Sequence, residues 1–168
     1  MADPLLLSLS LFQYPTRLKS GQLSVVYKDS TMNTLRDDGL VRTVVVPEHG
    51  LIVSTWNGFV PSEDYRAALW QIRDEVRDHH LNLWLSDTRA MGAILHGDEK
   101  WSIDVFMPEI IKLGLRRVAV VRGQDYFTHT ATERMVDATA EVAPFKVELF
   151  ADPAEAERWL LKEQEAFV

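Results

Sequence analysis

Apolar and polar positions change period several times along the chain, and each change marks an element. Leu7, Leu9 and Leu11 alternate with Ser8 and Ser10, a period of two that suits a strand with one buried face. PTRLKSGQ, residues 15–22, carries the proline and glycine punctuation of a linker. LSVVYKD near 23–29 then reads as a strand, TMNTLRDDG as a polar loop, and LVRTVVV near 40–46 as a second strand. PEHG turns the chain, and LIVSTW, residues 51–56, returns as the other arm of a hairpin, because so short a connection joins only antiparallel neighbours.

From residue 61 the period lengthens. PSEDYRAALWQIRDEVRDHH places Tyr65, Ala68, Leu69, Ile72 and Val76 on one helical face, with Ser62 expected at the N-cap and acids in the first turn. LNLWLSD reads as a buried strand and HGDEKWSIDVFMPEIIKLG as a helix kinked or interrupted at Pro108. RRVAVVRG is another strand, DYFTHTATERMVDATAEVA a third helix, and FKVELF a last strand. The final helix opens at Asp152-Pro153, with Asp at the N-cap, Pro at the first helical position and Glu155 following.

Strands alternating with helices from residue 51 require right-handed crossovers and hence parallel pairing, whereas the early hairpin is antiparallel. The expected fold is α/β, with a mixed five- or six-stranded sheet and about four helices. An N-terminal strand-like extension and linker, 1–20, precede a domain expected over 21–168. The alternating leucines need a surface to cover them. Pairing within their own sheet and crossing to a second copy are both open, and a homodimer is the expectation.

Composition narrows the function. The 168 residues hold 18 Lys and Arg against 25 Asp and Glu, a net charge of −7, which lacks the basic footprint of a nucleic-acid binder. Cysteine is absent, which excludes disulfides, thiol nucleophiles and zinc-thiolate or iron–sulfur sites. No run approaches the roughly 20 apolar residues of a membrane span. LLLSLSLF lacks the basic flank and cleavage site of a leader and is read as mature chain, and the cysteine-free composition reads as cytoplasmic. There is no Walker loop, no Gly-x-Gly-x-x-Gly and no Gly-x-Ser-x-Gly, and no cofactor is expected.

Four runs occur in a distinctive order: WNGFVPSEDYRAAL, LWLSDTR, DEKWSIDVFMPEIIKLGLRRVAVV and VELFADPAEAERWL. Between about residues 40 and 162 the chain thereby resembles the small bacterial SpoIIAA-like proteins, STAS-like or CRAL-TRIO-like domains of uncharacterised function. The resemblance implies a mixed sheet with helices mainly on one face, as in anti-anti-sigma domains. It also implies a soluble protein that binds a ligand or partner rather than an established enzyme. Anti-anti-sigma proteins switch by phosphorylation of a serine in an Asp-Ser-Ser-Gly-like turn. Here that stretch reads HGDEKW, with Glu99 and Lys100 in place of the serines, which argues against such a switch.

Six residues are candidates for a ligand site. Asp87 and Arg89 sit where a parallel strand ends, the place at which open α/β sheets collect ligands, and two residues apart they point the same way. A guanidinium there can hold an anion while the carboxylate orients it; alternatively Asp87 caps a neighbouring loop and Arg89 is solvated. Trp56 and Trp101 can line an aromatic cleft or belong to the core, and Trp84, between Leu83 and Leu85, reads as core. His96 and Asp98 form one weak pair, and none of the five histidines has metal-site spacing. Two functions follow: a non-enzymatic module that binds a partner protein or a small apolar or anionic ligand, and a small hydrolase using Asp87, His96 and Asp98.

Overall fold

In the computed structural model, which describes residues 30–123 and 125–162, two short connections lay down the antiparallel half of the sheet. β1 (Asn33–Asp37) turns through Asp38 and Gly39 into β2 (Val41–Val46), and the Asp38 carboxylate accepts hydrogen bonds from the Leu40 and Val41 N–H groups at 2.9 and 2.8 Å. The stretch expected to be a polar loop therefore holds a strand. Among the described residues it pairs with β2 alone and is mostly exposed, so it carries no apolar alternation; its signature is the Asp-Gly of the hairpin. β2 continues through a single 3-10 turn, Pro47–His49, and the left-handed Gly50 (φ +59°) into β3 (Leu51–Gly58).

The parallel half follows as α1 (Ser62–His79), β4 (Leu83–Met91), α2 (His96–Trp101), α3 (Met107–Ile110), β5 (Arg117–Val121), α4 (Tyr126–Val142), β6 (Lys146–Phe150) and α5 (Pro153–Leu161). All six strands lie in sequence order, β3 to β6 in parallel. Right-handed crossovers that always step the same way put every connecting helix on the same face, which is where α1, α2–α3 and α4 pack. α5 makes no crossover and covers the other face. The sheet is mixed and six-stranded, with its helices mainly on one side.

Strand parity divides the core accordingly. Ile52, Trp56, Trp84, Val118 and Val120 face the connecting helices, together with the apolar stripe of α1, whose Tyr65, Ala68, Leu69, Ile72 and Val76 are all buried as their spacing predicts. Leu51, Val53, Leu83, Leu85, Ala119 and Val121 face Ala156 and Leu160 of α5. Each such aliphatic side chain contributes about 1.5 to 3 kcal/mol through burial, so two covered faces hold the central strands firmly.

Helix ends depart from the sequence reading in two places. Ser62 is the first residue of α1 rather than its cap, because its hydroxyl donates to Asp98 at 2.6 Å instead of meeting its own helix; Pro61 occupies the cap position. The helix expected to break at Pro108 breaks earlier. Ser102–Phe106 forms a π-helical turn, with the Met107 N–H reaching back five residues to the Ser102 carbonyl. Proline lacks an N–H and its ring crowds the carbonyl four residues back, here that of Asp104, so the widened turn takes up the misfit upstream. Asp152 caps α5 as expected, accepting from the Ala154 N–H at 2.9 Å. The alternating leucines, the linker at 15–22 and the strand read at 23–29 lie outside the described residues.

Candidate functional site

Two tryptophans and two serines cross-link the central strands on the face beneath α1–α4. Trp56 of β3 donates its indole N–H to Ser86 of β4 at 3.1 Å, and Trp84 of β4 donates to Ser54 of β3 at 3.0 Å, while Ser54 and Ser86 are themselves register partners. An indole buried in a core needs an acceptor for its N–H, and the two strands supply one each to the other. The rings are thereby held upright from the sheet, with the Trp56 ring 5.4 Å from that of Tyr65 on α1.

Between these rings and the helices lies a cavity of about 120 Å³. Its floor is the sheet, including Trp84, Ser86, Val118 and Val120. Its walls are Tyr65 and Leu69 of α1, Phe106 at the end of the π turn and Met107 after it, and Thr132, Met135 and Val136 of α4. The wide π turn aims Ser102 inward, where its hydroxyl shares a 2.9 Å hydrogen bond with that of Tyr65. Burial, with Asp98 and Glu99 nearby, pushes the Tyr65 phenol up to about 12, so it stays neutral and available for hydrogen bonding. The rest of the lining is mostly apolar, with the hydroxyls of Ser86, Thr88, Thr132 and Thr139 among it, and among the described residues it includes no charged side chain.

α2 fastens the two helical walls. Asp98, almost wholly buried, accepts from Ser62 at 2.6 Å and from Arg66 Nε at 2.9 Å, both on α1. Glu99, one residue on, takes a two-pronged bond from Arg134 of α4, with Nη2 to Oε2 at 2.8 Å. That guanidinium holds the Glu99 carboxyl below its ordinary value. Adjacent acids thus tie opposite walls to one short helix.

The six candidates from the sequence separate. Trp56 lines the cavity. Asp98 supports its wall but is occupied by Ser62 and Arg66. Trp101 packs edge-on to Trp70 at 5.2 Å, with Arg66 over its ring, and lies outside the lining. His96 is exposed, its Nδ1 4.0 Å from Glu99. Asp87 and Arg89 lie on the other face of the sheet: Asp87 pairs in register with Thr55 and with Val121, a member of the α5-side core. Arg89 closes on Asp87 through Nε at 3.0 Å and Nη2 at 2.8 Å. Asp87, His96 and Asp98 therefore do not converge. Among the described residues no group of three His, Cys, Asp or Glu could hold a metal ion, and no helix is long and apolar enough to cross a membrane.

The polar groups that sequence reasoning passed over are Ser54, Ser86, Tyr65 and Ser102. A signal existed for the first two. Each is a serine two residues from a tryptophan, at an inward position of a strand otherwise apolar, in the mirrored words STW and WLS. Ser102 had none, because the π turn that aims it is not written in any periodicity.

No protein-family model and no curated protein matches the sequence. Among solved structures the chain is similar to an uncharacterised protein of the DUF3478 family with a SpoIIAA-like fold from Shewanella loihica PV-4. The identity is 13%, with a TM-score of 0.48 over 77% of this chain and 92% of that one. The mixed sheet described above rests on this chain's own strand pairings.

Proposed function

We propose that the protein is a binding module that holds a small apolar molecule in the cavity between its sheet and α1, the π turn and α4. The observation that carries this reading is the cavity itself. Protein interiors are packed to crystal density, with few voids larger than a water molecule, so a largely apolar space of about 120 Å³, partly open to solvent, offers contacts that a fitting molecule would make. It is comparable to the roughly 150 Å³ engineered cavity that stays dry and takes up benzene or xenon. Aromatic rings fixed by crossed hydrogen bonds preorganise it, which lowers the cost of binding.

A hydrolase built on Asp87, His96 and Asp98 is less well supported, since those groups stand on different faces or are occupied by partners. The apolar-ligand reading is tested with xenon followed by NMR of the whole chain. Saturable shifts confined to the amides of Ser86, Val120 and Thr132 are expected. Val120→Phe, which fills the space from the sheet side, should abolish them. Absence of saturable shifts in the native protein would overturn the proposal.

A further inference from the structure

Hydroxyl groups give the cavity a chemical preference that its volume alone does not. Each can be followed to its partner. Thr88 donates to the Val121 carbonyl at 2.9 Å, Thr132 to that of Thr128 at 2.7 Å and Thr139 to that of Met135 at 2.7 Å, so these three donors are spent on the backbone. The indole N–H groups of Trp56 and Trp84 are spent on Ser86 and Ser54. Ser86 is different. Its oxygen accepts from Trp56, and among the described residues nothing accepts its hydrogen, although the side chain is over nine-tenths buried and lines the cavity. Tyr65 and Ser102 share one hydrogen bond between two hydroxyls, leaving one hydrogen with only the Met135 sulfur, 3.9 Å from the Tyr65 oxygen, as a weak acceptor.

Charge is disfavoured in the same space. A bound cation would find no carboxylate in the lining, and a bound anion would face Tyr65 with Asp98 and Glu99 behind it. An ion transferred there loses its hydration with nothing to replace it. An uncharged oxygen, by contrast, meets the Ser86 hydroxyl, whose hydrogen has no acceptor among the described residues.

Resting on the reading of the cavity as a ligand site, we propose that its ligand class is compact, uncharged molecules of about six non-hydrogen atoms bearing a hydrogen-bond-accepting oxygen, such as a ketone or aldehyde, with that oxygen on the Ser86 hydroxyl.

The test uses four probes of nearly equal size, titrated into the whole chain and followed by NMR: cyclopentanone, methylcyclopentane, cyclopentylammonium and butanoate. Both neutral probes should bind saturably and neither ion should. Ser86→Ala should weaken cyclopentanone roughly five-fold or more, the worth of one hydrogen bond, and leave methylcyclopentane within about two-fold. Ser86→Cys, which is only slightly larger and supplies only a weak donor, should show the same selective loss and carries the test if the alanine variant does not fold. Equal effects of the substitution on both neutral probes, or binding of either ion as tight as that of the ketone, would overturn this ligand class while leaving the apolar cavity standing. Binding of neither neutral probe would overturn both.

Discussion

Arg89 closes on Asp87 from two residues further along β4, its Nε 3.0 Å from Oδ1 and its Nη2 2.8 Å from Oδ2, while its own backbone N–H donates to Oδ1 at 3.1 Å. The carboxylate is almost wholly buried and the guanidinium partly so, with side-chain exposures of 7% and 28%. Two-pronged pairs of this kind are among the stronger charge-assisted contacts. Removing the arginine leaves a buried carboxylate with one backbone donor, a more costly outcome than losing a surface ion pair.

Arg89→Ala is therefore expected to destabilise by about 2 kcal/mol, a fall in melting temperature of roughly 4 to 8 °C for a chain of this size. Asp87→Asn added to it should recover part of the loss by removing the stranded charge. Thermal unfolding followed by circular dichroism decides. A fall below about 2 °C would show that the pair adds nothing to the fold and that the guanidinium is free for other work.

Gly123 tests the same corner of the molecule from the backbone side. A Cβ at this position would stand 2.6 Å from the Arg89 carbonyl oxygen and 3.2 Å from its carbonyl carbon. Those atoms belong to the backbone of β4 and cannot swing away as a side chain would. Gly123→Ala is expected to cost more than the 1 to 3 kcal/mol typical of overpacking, visible as a loss of soluble yield or a shifted urea midpoint. A midpoint equal to that of the native chain would mean that the segment after β5 is free to move away.

The crossed pairs of β3 and β4 make a further quantitative claim. Ser54→Ala strands the indole N–H of Trp84 in the core, a loss of roughly 1 to 3 kcal/mol. Trp84→Phe has no N–H to strand, so in that background Ser54→Ala should cost much less. A double-mutant cycle by urea unfolding reads the coupling between them. A coupling within error of zero would leave the serine as a filler rather than an acceptor.

Fold and site were legible in the sequence to different degrees, for physical reasons. The helices announce themselves through one-sided stripes such as Tyr65 to Val76 and through the cap at Asp152, and strands β2 to β6 through apolar runs between turns. β1 escaped because it is mostly exposed and sends only Leu35 against the core, too little to impose alternation. The site was harder. Where helices cover both faces of a parallel sheet, every position of a strand is apolar or close to it, and alternation no longer says which face is which. Asp87 and Arg89 could be placed on one side of β4 from their spacing. That this side belongs to α5, whereas Trp56 and Ser86 face the cavity, follows only from the sheet's assembled order.

Stability should be greatest on the acid side of neutrality. Glu157 of α5 is 97% shielded, its side-chain Oε1 has no hydrogen-bond partner among the described residues, and burial, with Asp152 adding repulsion, raises its carboxyl from 4.5 to about 7. A raised carboxyl binds its proton more tightly folded than unfolded, so its stabilising contribution is complete below about 4.5 and is lost as pH climbs through 7. That span is worth on the order of 3 kcal/mol. Glu99 works the other way. Held low by Arg134, it stabilises above the ordinary carboxylate range and loses that contribution as the solution is acidified through its folded value, though half-exposed Arg134 keeps the effect small. The two slopes meet near the unfolded carboxylate value. Urea unfolding at pH 4.5, 6 and 7.5 should therefore show stability falling across the series. Glu157→Gln, neutral at every pH, should flatten that fall and stabilise the protein most at pH 7.5. An unchanged slope in the glutamine variant would show that Glu157 titrates as it would in water and that some other group sets the pH dependence.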